Sequence, residues 1–253
     1  MSQRFAGRKV VVTGAAGGMG EAFARRFAGE GAELILVDVD EAGLAGTASA
    51  LRGQGAHCST HRVDLQVEGE IQAFAAEVTA AHPRLDVLVN NAGMAYGEIA
   101  HGFLGLGQAK WLRYLAVNTV APLLLAEALR VPLAAAKGVV LNISSMASYM
   151  PATAYGVTKA SLNAMTFGMA SALGADGIRV NAIAPGIMET PANVASLPPE
   201  TYARVQGAQL LKLHGTSDDI ANLALFLASD EARFITNETV LCDAGNRMRG
   251  WRP

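Results

Sequence analysis

The sequence contains few residues of several types, and each shortage excludes a class of protein. Its 253 residues include only two cysteines, Cys58 and Cys242, which lie far apart. A disulfide-stabilised scaffold is therefore excluded, and we expect both thiols to be reduced, as in a cytoplasmic protein. Neither the cysteines nor the five histidines show metal-ligand spacing, so no metal site is predicted.

Charged residues and long apolar runs are also scarce. Charged residues make up 17% of the chain and the net charge is −2, with no visible cluster of Lys and Arg, so nucleic acid is not an expected partner. The longest apolar stretch, Val120 to Ala136, is interrupted by prolines and charges, and we interpret it as one buried helix. The first residues, Met1 to Phe5, show no signal-peptide pattern, and no membrane association is expected.

Hydrophobic residues make up 51% of the chain and follow a regular alternation. Short runs rich in β-branched residues alternate with alanine-rich helical segments. Runs such as Val10-Val11-Val12 are continuously apolar, which is typical of a parallel sheet covered on both faces. The pattern predicts an α/β fold over residues 1–253, a single-domain doubly wound parallel sheet of about seven strands. The predicted strands are Lys9–Thr13, Glu33–Val37, His57–Val63, Val87–Asn90, Gly138–Ile143, Arg179–Ala182 and Thr239–Cys242.

One segment, residues 187–214, interrupts this alternation. It contains Pro191, Pro198 and Pro199 and follows a predicted strand end, where ligands bind in sheets of this kind. We predict a partly helical lid over a substrate cleft. The alternative is that residues 187–214 form an ordinary surface loop with no role in substrate binding.

A glycine-rich turn follows the first predicted strand, with glycines at positions 14, 17, 18 and 20. Such glycines allow a tight turn and a close approach of the backbone to a pyrophosphate at a helix N-terminus. The second strand ends at Asp38, whose carboxylate can accept hydrogen bonds from ribose hydroxyls and would repel a 2′-phosphate. Because Val39 follows and the glycine turn holds no Lys or Arg, the charges favour NAD over NADP. The alternative role for Asp38, capping the next helix, suits Asp40 better.

Tyr155 and Lys159 are four residues apart, so a helix would place both on one face. A phenol has a pKa of roughly 10, and a nearby ammonium favours the phenolate and lowers that value. Such a pair can pass a proton to or from a substrate oxygen. Taken alone, the spacing favours a packed tyrosine and a solvated lysine without a catalytic role.

Further motifs accompany this pair, and together they resemble the short-chain dehydrogenase/reductase family over almost the whole chain. The resemblance implies a Rossmann-like fold, a nicotinamide cofactor and hydride transfer between an alcohol and a carbonyl compound. The motifs are Thr13-Gly14-x-x-x-Gly18-x-Gly20, Asn90-Asn91-Ala92-Gly93, Asn118, Ser145, Tyr155-x-x-x-Lys159, and Pro185-Gly186 with Thr190.

The resemblance also implies roles for four catalytic residues. Tyr155 matches the general acid/base, and Lys159 the lysine that lowers the tyrosine pKa and binds the nicotinamide ribose. Ser145 matches the serine that holds the substrate oxygen. Asn118 matches the helix residue that orders a water near the lysine, although a buried asparagine that only bonds its neighbours is the alternative.

Cofactor and substrate residues follow from the same resemblance. Asp64 would meet the adenine, Asn90 the adenosine ribose, and Ile187 with Thr190 the carboxamide. The implied cofactor-binding set is Gly14, Gly18, Met19, Gly20, Asp38, Asp64, Leu65, Asn90, Ala92, Gly93, Tyr155, Lys159, Pro185, Gly186, Ile187 and Thr190. The predicted substrate-pocket set is Met94, Tyr96, Met146, Tyr149, Met150 and Met188.

The chain departs from the family pattern in the spacing of the serine and the tyrosine. Ser145 precedes Tyr155 by ten residues, whereas thirteen is usual in the family. The predicted strand before Ser145 fixes its position, so the three residues by which this chain is shorter belong to the loop between Ser145 and Tyr155. Ser144 remains the alternative for the serine that holds the substrate oxygen. Asn237 and Ala244 are further departures, the first where glycine is usual.

The sequence therefore predicts an NAD-dependent oxidoreductase that interconverts a secondary alcohol and its ketone. The apolar, methionine-rich pocket set favours an uncharged substrate, since no cation could be placed near it. The alternatives are a sugar, polyol or hydroxy-acid dehydrogenase, an oxoacyl-thioester reductase, and a non-catalytic regulator that senses NAD. The family also implies a homotetramer.

Overall fold

All seven predicted strands pair in one parallel sheet. The computed structural model describes residues 3–190 and 198–246. The strand order is β3-β2-β1-β4-β5-β6-β7, so the chain builds outward from β1 in both directions, and the predicted doubly wound fold is confirmed. Most strand ends lie within one residue of the prediction, while β6 is three residues longer. The strands are β1 Lys9–Thr13, β2 Glu33–Asp38, β3 Cys58–Arg62, β4 Val87–Asn90, β5 Val139–Ile143, β6 Arg179–Pro185 and β7 Thr239–Cys242.

Helices cover both faces of this sheet. Side chains of β1 alternate between two apolar clusters: Val10 and Val12 pack on one face, and Val11 packs on the other. Because both faces are buried, the strands need apolar residues at every position, which explains their continuous hydrophobic runs. The helices are α1 Gly18–Gly29, α2 Glu41–Gly53, α3 Glu68–Ala81, α4 Glu98–His101, α5 Gly107–Leu115, α6 Ala121–Ala128, α7 Arg130–Ala136, α8 Ala154–Leu173, α9 Pro199–Gly207 and α10 Ser217–Ala228.

The apolar stretch that we predicted to be one buried helix is divided, and that prediction was wrong. A π-helix, Ala116–Val120, joins α5 to α6, and α7 is bent by 65° from the helices before it. Pro132 lacks an N–H group, and its ring clashes with the carbonyl four residues earlier, so a straight helix cannot pass from α6 into α7. Among the described residues no single helix is long and apolar enough to cross a membrane, although this bent pair passes by length and composition.

The segment after β6 is partly helical, as predicted. Helix α9 begins at Pro199, where a missing N–H group costs nothing. Met188 forms a bridge with Gly215, which ties the two ends of the segment together. Residues 191–197 lie outside the described residues, and the role of the segment as a lid stays a prediction.

Two of the sequence departures adopt left-handed backbone conformations. Asn237 has a φ of 64° and Ala244 a φ of 53°. Glycine occupies such positions without a steric penalty, whereas a Cβ atom is crowded there. The carbonyl of Ala244 accepts a hydrogen bond from the Leu210 N–H at 3.1 Å, so the surrounding chain holds this turn in place.

Candidate active site

A cavity of about 770 Å³ opens at the carboxyl ends of the central strands. It lies where the strand order reverses between β1 and β4, which is the usual ligand position in doubly wound sheets. Many of the predicted site residues border it, from the glycine turn to the tyrosine and lysine pair. The predicted residues on its wall are Gly14, Gly18, Met19, Asp38, Asp64, Leu65, Ala92, Gly93, Met94, Tyr96, Tyr155 and Lys159.

The glycine turn is built for close packing against the loop after β4. Gly14 has a φ of +67°, and a Cβ atom there would lie 2.8 Å from Asn91 Nδ2. Asn91 instead donates from Nδ2 to the carbonyls of Thr13 and Gly14, at 2.9 and 3.2 Å. Helix α1 then begins at Gly18 without a side-chain cap, and its first N–H groups are suited to a phosphate. The turn therefore fits the pyrophosphate of a dinucleotide.

Asp38 closes this turn from the end of β2. Its Oδ2 accepts a hydrogen bond from the Ala16 N–H at 2.9 Å, and its Oδ1 accepts one from the Asp40 N–H at 3.0 Å. The capping of α2 belongs to Asp40, which accepts from the Gly43 N–H at 3.1 Å. The Asp38 carboxylate thus lies on the cavity wall beside the exposed side chain of Val39.

Helix α8 begins at the predicted acid/base pair. Thr153 caps the helix, since its hydroxyl accepts from the Gly156 N–H at 3.1 Å. Lys159 Nζ lies 5.8 Å from the centroid of the Tyr155 ring and donates to the Ile143 carbonyl at 2.7 Å. The spacing of four residues therefore brings the phenol and the ammonium to the same wall of the cavity.

The pKa values of this pair differ from the expectation based on sequence. We expected Lys159 to lower the pKa of Tyr155, but burial raises it to about 12, against a hydrogen bond with Ser145 that lowers it. Burial also lowers the pKa of Lys159 to about 8. Because Nζ points to the Ile143 carbonyl and towards the ring, its charge does not offset the desolvation of the phenol.

Ser144 and Ser145 have different surroundings. The Ser145 side chain lies close enough to Tyr155 to lower its pKa, and its Oγ accepts from the Ala147 N–H at 3.1 Å. Ser144 is 2% exposed and donates its hydroxyl hydrogen to the Lys159 carbonyl at 3.3 Å. Ser145 thus lies near Tyr155, whereas Ser144 borders the cavity, and the choice between them as the residue that holds the substrate oxygen stays a prediction.

Asn118 is fully buried within the π-helix. Its Oδ1 accepts from the Met94 N–H at 2.7 Å, and its Nδ2 donates to the Met94 carbonyl at 2.9 Å and to Thr158 Oγ1 at 3.0 Å. A Cβ atom on Gly93 would lie 3.2 Å from Asn118 Oδ1 and 3.3 Å from Lys159 Nζ. Asn118 thus holds the loop after β4 and lies close to the lysine, and its role in ordering water stays a prediction.

The other predicted residues do not border this cavity. Asn90 is buried and donates from Nδ2 to Asn142 Oδ1 at 2.9 Å, between β4 and β5. Met188 is 5% exposed and packs in the core. Ser145 and Asn118 lie behind the wall, in contact with Tyr155 and Met94. The remainder are Gly20, Pro185, Gly186, Ile187, Thr190, Met146, Tyr149 and Met150. Their binding roles stay predictions.

Three polar residues on the wall were missed: Asn91, Gln66 and Arg113. Asn91 follows Asn90 in the quoted motif, so its position beside the glycine turn could have been inferred from the motif itself. Arg113 lies on α5, four residues before Val117, which also borders the cavity. Residues four apart lie on one face of a helix. Once Asn118 was assigned to the site, Arg113 and Val117 could therefore have been placed on the helix face beside it.

The glycine turn, the carboxylate at the end of β2 and the tyrosine and lysine pair define a dinucleotide-binding oxidoreductase of the Rossmann-like class. A family model described as enoyl-(acyl carrier protein) reductase matches residues 14–247. The cis-4-hydroxycyclohexanecarboxylate dehydrogenase of Sinomonas cyclohexanicum is 36% identical over 249 residues, 97% of this chain and 98% of that protein.

A second relative, the 2,5-dichloro-2,5-cyclohexadiene-1,4-diol dehydrogenase of Sphingobium indicum, is 33% identical over 249 residues, 97% of this chain and 98% of that protein. The solved structure of a 7α-hydroxysteroid dehydrogenase complexed with NADH and 7-oxo glycochenodeoxycholic acid superposes with a TM-score of 0.90 and 28% identity, over 97% of this chain and 96% of that one. The chain belongs to the short-chain dehydrogenase/reductase family. It is an oxidoreductase that acts on CH–OH groups with a nicotinamide cofactor.

Proposed function

We propose that this chain is an NAD-dependent dehydrogenase that interconverts a secondary alcohol on an alicyclic ring and its ketone, with Tyr155 as the general acid/base. The observation that carries the proposal is that Tyr155 and the buried Lys159 border the same cavity as the glycine turn. A proton donor and a dinucleotide would therefore meet there.

In this mechanism, Ser145 and Tyr155 hold the substrate oxygen; during oxidation the phenolate of Tyr155 takes the proton of the hydroxyl group, and during reduction the phenol returns it. The pKa of Tyr155, raised to about 12, makes the phenolate costly, so Ser145 and the Lys159 ammonium must stabilise it as it forms. A nicotinamide ring, when bound, accepts or supplies the hydride at the carbinol carbon. Lys159, with a pKa near 8, is close enough to neutrality to exchange a proton with Tyr155 or with water.

The preference for NAD rests on the end of β2. Asp38, Val39 and Asp40 border the cavity there, so two carboxylates and no cation would face the adenosine ribose. A 2′-phosphate would be repelled by both, whereas ribose hydroxyls can donate to Asp38. An oxoacyl-thioester reductase of this family usually uses NADP, which makes it the weaker alternative.

The substrate class rests on the relatives and on the wall of the cavity. The names of the three enzymes compared above indicate hydroxyl or keto groups on six-membered or steroid rings. Met94 and Tyr96 give this chain apolar surface next to Tyr155. Arg113 adds a cation to the same wall, so a carboxylate on the ring is acceptable, in contrast to the expectation from sequence.

A screen of alcohols with NAD, followed through the formation of NADH, tests this proposal. Cyclohexanol and cis-4-hydroxycyclohexanecarboxylate represent the ring class, and sorbitol is the matched polyol. We expect kcat/KM to be at least ~10-fold higher for a ring carbinol, because a polyol would bury hydroxyls without partners. A clear preference for sorbitol or for an open-chain hydroxy acid would contradict the proposed substrate class.

Two other functions are weaker on specific grounds. The matched family model is named for enoyl reductases, but enoyl reductases of this family space their tyrosine and lysine more widely than Tyr155 and Lys159. A non-catalytic regulator that senses NAD would not need both Tyr155 and Lys159 on the cavity wall. Tight NAD binding without turnover of any alcohol in the screen would favour that regulator.

We also propose a cytoplasmic homotetramer. Leu112 on α5 and Phe167 on α8 are 58% and 63% exposed, which provides apolar surface for a second copy. Cys58 and Cys242 are free thiols, in keeping with a reducing compartment. Light scattering at micromolar concentration tests the assembly, and the mass of a monomer would refute it.

A further inference from the structure

A second cavity, of about 410 Å³, lies at the opposite edge of the sheet. Residues at the starts of β1, β4, β5 and β6 border it, together with the turns that follow α7 and α10. Its volume falls in the range of roughly 300–1,000 Å³ that is usual for small-molecule sites. The cofactor residues all belong to the other edge, so the reaction described above does not use this cavity.

The charge of this second cavity is opposite to that of the chain. Five cations and two carboxylates border it, a net charge of +3, whereas the chain as a whole has a net charge of −2. Both carboxylates are already engaged. Asp230 pairs with Arg8 at 2.6 Å, and Asp86 accepts a hydrogen bond from the Lys9 N–H at 2.8 Å.

Four cations are left on the wall: Arg84, Lys137, Arg179 and Arg233. None of them forms a salt bridge within residues 3–190 and 198–246. Like charges that share a cavity repel one another, more strongly where the wall excludes water. An anion bound among them would relieve that repulsion.

Arg179 is the most buried of these cations. It donates to the Ile235 and Ser229 carbonyls, each at 3.1 Å, which fixes the plane of its guanidinium and leaves further N–H groups for a ligand. Burial lowers the pKa of Arg179, and the charge of Asp230 only partly opposes this. A fixed, partly desolvated guanidinium is the group that pairs best with phosphate oxygens.

We propose that this cavity binds a phosphate-bearing small molecule with at least two negative charges, held by Arg179 together with Arg84, Lys137 and Arg233. No aromatic side chain is among the described residues on its wall, so there is no platform on which a nucleobase could stack. The recognised group is therefore the phosphate itself, as in pyrophosphate or a sugar phosphate.

Calorimetric titration with inorganic pyrophosphate tests the proposal. The cofactor cavity is first saturated with NAD or NADP, whichever binds more tightly, so that the probe cannot bind there. We expect one pyrophosphate site whose Kd rises with chloride concentration. The double variant Arg84→Gln/Arg233→Gln should raise Kd by at least ~10-fold, because two charge-assisted contacts are lost. Both side chains are exposed, so the variant should fold.

The control is Arg25→Gln/Arg52→Gln, which removes two exposed cations that do not border the cavity. It should leave Kd within about 2-fold, because neither cation borders the cavity and salt screens exposed charges. Arg179→Gln should weaken pyrophosphate binding further. If this variant fails to fold, the result for Arg84→Gln/Arg233→Gln alone tests the proposal. The proposal is overturned if pyrophosphate binds only without cofactor, if it does not bind at all, or if the control pair loses as much affinity.

Discussion

The two edges of the sheet hold cavities that would bind anions by different means. At the carboxyl edge, the glycine turn and the start of α1 present backbone N–H groups, and the wall carries Asp38, Asp40 and Asp64. At the amino edge, α7 and α10 end rather than begin, so the backbone there contributes carbonyl groups and the negative ends of helix dipoles. An anion at that edge has to be held by side chains, which is where the cations lie.

This contrast also defines the alternative to our inference. Lys137 and its neighbours could serve only to neutralise the ends of α7 and α10. In that case they would stabilise the fold and bind no ligand, and the pyrophosphate titration separates the two roles. Catalysis, by contrast, should depend on the carboxyl edge alone.

The largest expected effect is at Tyr155. Replacement of Tyr155 by Phe removes the proton donor and should lower kcat by at least ~10²-fold, the lower end of general acid–base contributions. Cofactor affinity should barely change, because the ring remains in place. Steady-state kinetics with the best ring alcohol, together with cofactor titration, measures both. Near-normal turnover of the Phe variant would show that Tyr155 is not the general acid/base, and no other residue at the carboxyl edge has been assigned that role.

Lys159 is the buried cation of the carboxyl edge, and Arg179 is a partly buried cation of the amino edge. Because Lys159 titrates and Arg179 does not, the free-energy cost of burying Lys159 can be measured from the pH dependence of stability. The pKa of Lys159 is about 8 in the folded chain, against an ordinary value of 10.5. Between those values the unfolded chain holds a proton that the folded chain has released, so stability rises with pH. From about pH 7.5 to about pH 9.5 the free energy of unfolding should rise by about 2 kcal/mol more in the wild type than in Lys159→Met.

Urea unfolding at those two pH values measures this difference. The raised pKa of Tyr155, about 12 against 10.0, lowers stability only above about pH 10 and so does not disturb the comparison. Equal pH dependence in the two proteins would mean that burial of the Lys159 ammonium costs little.

The two serines are the next test of the carboxyl edge. Ser145→Ala should lower kcat by at least ~10-fold, because a hydrogen bond to the reacting oxygen is lost. Ser144→Ala is the matched control and should stay within a few-fold, since the Ser144 hydroxyl donates to the Lys159 carbonyl. The reverse order would show that the shortened loop places Ser144 at the reacting oxygen.

The smallest expected change concerns cofactor choice. Wild-type protein should prefer NAD, and Asp38→Ala should narrow the ratio of kcat/KM for NAD to that for NADP by at least ~10-fold, about 1.4 kcal/mol. The substitution removes both an acceptor for the ribose and the repulsion of a 2′-phosphate. Equal use of NADP by the wild type would contradict the charge argument. Asp40→Ala should narrow the ratio less, because it removes a repelling carboxylate and a helix cap but leaves the ribose acceptor in place.

The fold could be predicted because the information lies within short segments. Continuous apolar strands require helices on both faces, and a glycine turn between strand and helix marks the carboxyl edge. The bend at α7 was missed although Pro132 was visible, because we interpreted the whole apolar stretch from Val120 to Ala136 as one helix despite its prolines and charges. The π-helix around Asn118 leaves no comparable pattern in the sequence.

Features that depend on distant residues could not be predicted. Desolvation of Tyr155 comes from the walls around it, so its pKa could not be read from the spacing to Lys159. The basic cavity joins Arg8, Arg84 and Arg179, which are widely separated along the chain. A search for runs of Lys and Arg therefore finds no cluster, and the strand order alone brings these residues together.

The left-handed turns at Asn237 and Ala244 bear on how readily this enzyme could be adapted by mutation. A residue with a Cβ atom in that conformation costs roughly 1–2 kcal/mol, part of which glycine gives back through the greater entropy of the unfolded chain. Ala244→Gly should therefore raise the melting temperature by a few degrees, and Asn237→Gly by less, because asparagine tolerates this conformation. Neither position borders the cofactor cavity. The stability gained by substitution at these two turns would offset the stability lost through substitutions in the substrate wall during directed evolution.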